Sequence, residues 1–249
     1  MSEAMAVDIP QGTTTKDPGI VASLLWLLGL VGFQVLGMAI AMGIQMATTG
    51  GAGQPDAVTL MFGVLIGSLL MIAMRSKYMM RHLRPAWEKG SPYAITGQAI
   101  ITTILLVVAT GLFTAVYQST VIADKTMQPE LQIFLNAINS GTIGIIAVYL
   151  VGAIAAPVLE EVLFRGQLQG AIQNSLDTKV KNAPVFAIGI TSAIFALIHF
   201  QPYAIPPLFF AGCAFGWIRW RTGSLALPIL GHIILNAFSL TILMITGTV

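Results

Sequence analysis

The sequence predicts an all-α fold, a polytopic bundle of about seven or eight membrane helices, and three observations predict it. Hydrophobic residues make up 56% of the chain and charged residues only 9%, with a mean hydropathy of +0.84. A soluble domain carries about 25% charged residues, so this chain cannot cover itself with a water-compatible surface. The apolar residues are also grouped into runs long enough to cross a hydrocarbon core about 30 Å thick. In lipid, finally, every backbone N–H and C=O must be satisfied internally, and for runs this apolar that means helices. The net charge of +2 is too small to argue for nucleic acid or an acidic substrate. Cys213 is the only cysteine, which excludes an intramolecular disulfide and a cysteine-based metal cluster.

Residues 1–19 are polar and nearly neutral, with Glu3, Asp8, Lys16 and Asp17. They lack the basic n-region of a cleavable signal and read as a polar tail before a single transmembrane domain, 20–246. The expected spans are 20–47, 58–76, 96–122, 141–165, 183–200, 206–219 and 224–246. The 206–219 segment is short and opens with Pro206-Pro207, which makes it tilted, broken or joined to its neighbour. Residues 127–139 have mixed polarity and suit a helix along the membrane surface. Residues 166–177 keep helical spacing but carry Gln167, Gln169, Gln173, Asn174 and Asp177, so the fourth helix runs on beyond the hydrocarbon. There is no internal repeat.

Orientation follows the basic residues of short loops. Arg75, Lys77, Arg81, Arg84 and Lys89 occupy the 75–89 loop, Lys179 and Lys181 the 177–182 turn, and Arg219 and Arg221 the 219–221 turn, whereas the 48–57 loop has none. With seven spans all of these fall on the side of the N-terminus, which is therefore expected to be cytoplasmic. The compact chain points to a prokaryotic plasma membrane.

Ionisable residues at bilayer depth are costly and mark function when they occur. Those not at helix ends cluster in three patches: Glu160-Glu161 with Arg165, Phe195 with His199, and His232 with Asn236. Glu161 and Arg165, four apart with the acid first, share a helical face and can pair. Glu160 is rotated about 100° away. Alone, this patch reads as a structural ion pair; the sharper reading has the pair fix the helix while Glu160 faces a cavity as general base. His199 alone reads as a helix-end residue, yet it and Glu160 lie symmetrically about the polar turn near 179–182. An antiparallel helix pair would set them at similar height. The expected boundaries put His199 roughly 24 Å beyond the start of its helix, with Glu160 near the cytoplasmic end of its own. Strong tilt, or a fourth helix buried well past Glu160, would reconcile the two. His232 and Asn236, also four apart, face one way. Either alone reads as interhelical hydrogen-bond glue; together they offer two donors at fixed spacing, as an oxyanion requires. His82, in the 75–89 loop, is assigned no role.

In order and content the patches resemble the CAAX-protease and bacteriocin-processing family of membrane proteins, also called Abi, which includes the Ras-converting CAAX endopeptidase. The matching motifs are Glu160-Glu161-x-x-x-Arg165, Phe195-x-x-x-His199 and His232-x-x-x-Asn236, and the resemblance covers residues 141–246. It implies an intramembrane endopeptidase in which Glu160 and His199 activate water, His232 and Asn236 hold the oxyanion, and Glu161, Arg165 and Phe195 support them. The implied substrate is a membrane-associated peptide or lipidated protein, a prenylated CAAX-type protein among the candidates. No cofactor is expected. The alternative is catalytic zinc on Glu160, His199 and His232 with one position left for water, although Asn236 suits an oxyanion donor better than a ligand. A non-enzymatic scaffold or immunity-type protein is the second reading, and a transporter with Glu160 and His199 as proton relay the third.

Overall fold

The computed structural model describes residues 18–50, 55–83, 95–122 and 129–246. Most of the polar tail 1–19, the basic residues Arg84 and Lys89, and part of the 48–57 loop lie outside the described residues. Among those described there are helices and no strand: α1 (Ile20–Thr49), α2 (Ala57–Leu83), α3 (Gly97–Tyr117, continued by π-helical Gln118–Ile122), α4 (Pro129–Asn139), α5 (Thr142–Leu176), α6 (Ala183–Leu197), α7 (Ile205–Thr222, preceded by the 3₁₀ turn Pro202–Ala204) and α8 (Ala226–Thr246). Five of them, α1, α2, α3, α5 and α8, are long and apolar enough to cross a membrane. Every expected span is helical. The 183–200 span yields a helix of only 15 residues, and the 206–219 span an 18-residue helix whose last turn carries Arg219 and Arg221. The expected surface helix is α4.

α5 is the axis. It packs against α1 and α2 on one side, α8 on another, and α6 and α7 on a third, while α3 lies outside against α7 and α8. Its inner face forms one core with Met71 of α2 and Phe195 of α6, built on Leu159, Leu163, Phe164 and Leu168. A second core joins its first turns to α4, α2 and the far end of α8 through Ala137, Val148, Val151 and Leu243. α1 and α2 meet closely at glycines. A Cβ on Gly67 would strike the Phe33 carbonyl, and one on Gly37 the Gly63 carbonyl. Lipid supplies no hydrophobic drive between helices, so dispersion across such small-residue contacts is what holds the pair together.

Two structural facts revise the expected boundaries. α2 continues to Leu83, so Arg75, Lys77, Arg81 and His82 are helical rather than in a loop. Arg75 is accommodated there because its guanidinium lies over the rings of Trp26 (4.4 Å) and Tyr78 (4.6 Å). α5 is one helix of 35 residues and passes well beyond Glu160. Leu225, just before α8, packs on Val162 and Gly166, so the turns of α5 from Gln167 to Leu176 project past the start of α8. α6 starts from that projecting end. The apparent conflict in height between Glu160 and His199 came from ending the fourth helix at 165.

Candidate active site

α5 is interrupted by two π-helical stretches, Tyr149–Ala155 and Glu161–Leu168, with one α-turn, Ala156–Glu160, between them. π-bulges recur at functional sites because they re-aim side chains and disturb the regular carbonyl ladder. Both disturbances carry candidate residues here. Glu160 and Glu161 sit at the junction of the α-turn and the second stretch, and the carbonyl of Gly152, in the first, accepts a hydrogen bond from Asn236 Nδ2 at 2.9 Å.

Glu161 and Arg165 are fully buried and pair at 3.2 Å, Arg165 Nη1 to Glu161 Oε1, as their spacing predicts. The other guanidinium nitrogen, Nη2, donates to the Gly212 carbonyl of α7 at 3.2 Å. The cation also lies 4.5 Å over the Phe195 ring. Glu161 Oε1 further accepts from His232 Nδ1 at 2.8 Å. A carboxylate can only accept there, so Nδ1 carries the proton, and the opposite nitrogen, Nε2, points to Glu160 Oε2 at 3.6 Å. Glu160 is the more accessible acid, 18% exposed against 0% for Glu161. One imidazole thus bridges two carboxylates of different surroundings.

His199 joins through aromatic contact. Its Nδ1 donates to the Phe195 carbonyl at 2.6 Å, which leaves Nε2 as an open acceptor on the neutral ring. The Phe195 ring meets the His199 ring at 4.7 Å and, edge-on, the His232 ring at 6.1 Å, and Phe215 stacks on His232 at 4.8 Å. Phe164 and Phe195 pack edge-on at 5.2 Å. This pair has the same turn centre as Glu160 and His199, one helical turn nearer to it, so the antiparallel register that levels those two residues is present. The structure therefore joins Glu160, Glu161, Arg165 and His232 directly, joins His199 through Phe195, and places Asn236 one turn along α8, tied to α5.

Further supporting contacts escaped the sequence reading. Gln169 Nε2 donates to the Gly216 carbonyl at 3.0 Å, repeating the Arg165–Gly212 bond one turn away. A Cβ on Gly216 would lie 2.9 Å from Gln169 Oε1, and one on Gly212 2.8 Å from Ser192 Cβ, so glycine at both positions lets α7 approach. The signal was present as Arg165-x-x-x-Gln169 against Gly212-x-x-x-Gly216. Tyr78 Oη donates to the Gly166 carbonyl at 2.6 Å, and the Gln167 amide oxygen accepts from Arg75 Nε at 3.1 Å and Nη2 at 2.6 Å. His82 stacks on Tyr78 at 4.2 Å.

Among the described residues no group of three His, Cys, Asp or Glu side chains is arranged as a metal site, although Glu160 and Glu161 both approach His232. A cavity of about 130 Å³ lies elsewhere, between the start of α3 and the end of α7, lined by Thr96, Thr103, Trp217 and Arg221 among others, and includes none of the candidate residues.

Residues 142–238 match the family model described as Rce1-like, type II CAAX prenyl endopeptidase. Over 147 residues the chain is 31% identical to the membrane-embedded CAAX protease MroQ of Staphylococcus aureus (strain USA300), an alignment covering 59% of this chain. It spans 56% of that relative, little more than half its length. No solved structure matches the chain.

Proposed function

With residues 142–238 matching the Rce1-like CAAX endopeptidase family model, we propose that this integral membrane protein is an intramembrane endopeptidase acting on a membrane-associated polypeptide. Residues 141–246 are its catalytic core within the 20–246 membrane domain. The observation that carries the reading is the convergence of half-buried Glu160 and buried His232 across α5 and α8, backed by Glu161 and Arg165.

In this mechanism Glu160 takes a proton from a water that attacks the scissile carbonyl carbon, and His199 Nε2 accepts a hydrogen bond from the same water to aim it. The carbonyl π-electrons pass to oxygen. His232 and Asn236 then hold that oxyanion, through Nε2–H of a doubly protonated His232 and through the Nδ2 hydrogen not committed to Gly152. Collapse of the tetrahedral intermediate breaks the C–N bond, and the proton on Glu160 passes to the leaving amine. The different partners of the two histidines support this division. A backbone carbonyl fixes the His199 tautomer with Nε2 free to accept, whereas the carboxylates of Glu161 and Glu160 flank His232 as counter-ions when it carries both ring protons and can donate from Nε2. Glu161 and Arg165 act as positioning residues, and Phe195 sets the spacing of the two rings.

The near-isosteric Glu160→Gln tests the reading. Cleavage should fall by at least about 10²-fold with the melting temperature unchanged; full activity would sink the enzyme and favour the scaffold or immunity reading. We propose a metal-free reaction, because Asn236 suits an oxyanion donor better than a zinc ligand. Chelation by 1,10-phenanthroline should leave the rate unchanged, and stoichiometric zinc lost together with activity would overturn this part alone.

A further inference from the structure

Phe200 follows His199 directly and combines two unusual properties. Its ring is the most exposed large apolar side chain among the described residues, at 87%. Its backbone is left-handed, φ 53, in the turn just after α6, two residues past the C-cap Ile198. A left-handed residue following a helix is ordinarily glycine or asparagine, because a β-carbon is crowded there. The other left-handed non-glycine among the described residues is Asn182, of a type that tolerates it. A bulky aromatic held in this conformation beside a candidate site is an outlier of the kind that structures keep for function. Glycine would end α6 at lower cost, so the reason for phenylalanine lies in its ring.

The surroundings say what the ring meets. The Phe164–Phe195 contact sets the register of α5 and α6, which brings His199, at the start of the tip 198–204, near the height of Glu160. Phe209 and Phe210 of α7 are also exposed, and the outer face of α6 is apolar with Val185, Phe186 and Leu197 exposed. The site therefore borders a lipid-facing surface at the α6–α7 tip, and Phe200 stands at that border next to His199.

Resting on the endopeptidase reading above, we propose that Phe200 is a specificity-determining residue whose ring contacts the apolar, lipid-dissolved part of the substrate and holds it beside His199 and Glu160. The test uses the full chain in liposomes and two quenched fluorogenic peptides of one sequence, one with a farnesylated cysteine and one unmodified. Phe200→Gly keeps the left-handed turn without its steric cost, so the melting temperature should equal or exceed that of the wild type. Its kcat/KM for the farnesylated peptide should fall at least tenfold, mainly through KM, with a much smaller change for the unmodified one. Phe200→Trp should stay within about threefold of the wild type. Wild-type kcat/KM for Phe200→Gly on the farnesylated peptide would show that the ring touches only bilayer lipid and overturn the proposal. An equal loss on both peptides would also overturn it, since the tip would then act by placing His199. If the wild type cleaves neither peptide faster than Glu160→Gln, the endopeptidase reading fails first and this inference falls with it.

Discussion

At the scale of single residues, the centre of this protein is a problem in burying charge. Glu161 and Arg165 are both removed from solvent, and a buried pair survives only when further hydrogen bonds satisfy what the pair leaves over. Here His232, the Gly212 carbonyl and the Phe195 ring supply part of that, while Glu161 Oε2 and Arg165 Nη1 are buried without a hydrogen-bond partner. The cost and the specificity come together, because the same contacts that stabilise the ion pair fix the imidazole between Glu161 and Glu160. Asn236 shows how one residue can hold both of its possible roles. Its bond to the Gly152 carbonyl ties α8 to α5, and an interhelical bond of that type contributes about 0.6–1.7 kcal/mol in a membrane. If its second hydrogen also serves the oxyanion, Asn236→Ala should lower kcat by about 10²-fold or more. The accompanying loss of stability, read by thermal denaturation in detergent, should stay below about 2 kcal/mol. A rate loss no larger than the stability loss implies would leave Asn236 as interhelical glue.

At the scale of elements, α5 makes the site by not being a regular α-helix. Its two π-helical stretches bracket Glu160, and the bundle clamps the second from both sides, through Tyr78 and Arg75 of α2 and through the glycine carbonyls of α7. The clamp from α2 depends in turn on α1, which brings Trp26 onto Arg75. α1 and α2 reach that distance through Gly37, Gly63 and Gly67. Gly67→Val would drive its side chain into the backbone of α1 and should destabilise the protein by about 1–3 kcal/mol or more, overpacking being poorly relieved when the obstacle is backbone. Thermal denaturation measures it, and a variant as stable as the wild type would mean that the α1–α2 contact does not hold the clamp.

For the whole molecule, the two shorter helices α6 and α7 form a hairpin, so whether they cross the membrane or turn back within it does not alter the parity of crossings. With five or seven passages the two ends of the chain lie on opposite sides. The basic residues of the α2 end, the α5–α6 turn and the α7 end then share one side with the N-terminus. Reporter fusions in a bacterial host should place the N-terminus in the cytoplasm and a fusion after Val249 outside; both on one side would mean that one of the long helices does not span. The projecting end of α5 with the start of α6 belongs to the basic side, which agrees with its glutamines and lysines.

What the sequence determined alone was the solvent and the list of participants. Nine per cent charge in long apolar runs leaves lipid as the only medium in which the chain can fold, and lipid leaves the helix as the only backbone for such runs. The same scarcity made Glu160, Glu161, Arg165, His199, His232 and Asn236 conspicuous, since each is costly where it stands. Spacing also gave the Glu161–Arg165 pair and the antiparallel register of α5 and α6, both of which follow from local geometry. The tertiary structure alone decided the rest. Hydropathy ended the second helix at 76 and the fourth at 165 because it counts polar residues as exposed, whereas Arg75, Gln167 and Gln169 are sheltered by partners far away in the chain. Which carboxylate His232 meets, and that Asn236 finds the Gly152 carbonyl, depend on π-helical turns and interhelical distances that no local pattern encodes. A buried polar group is defined by what it touches, and in a bundle most of what it touches lies on another helix.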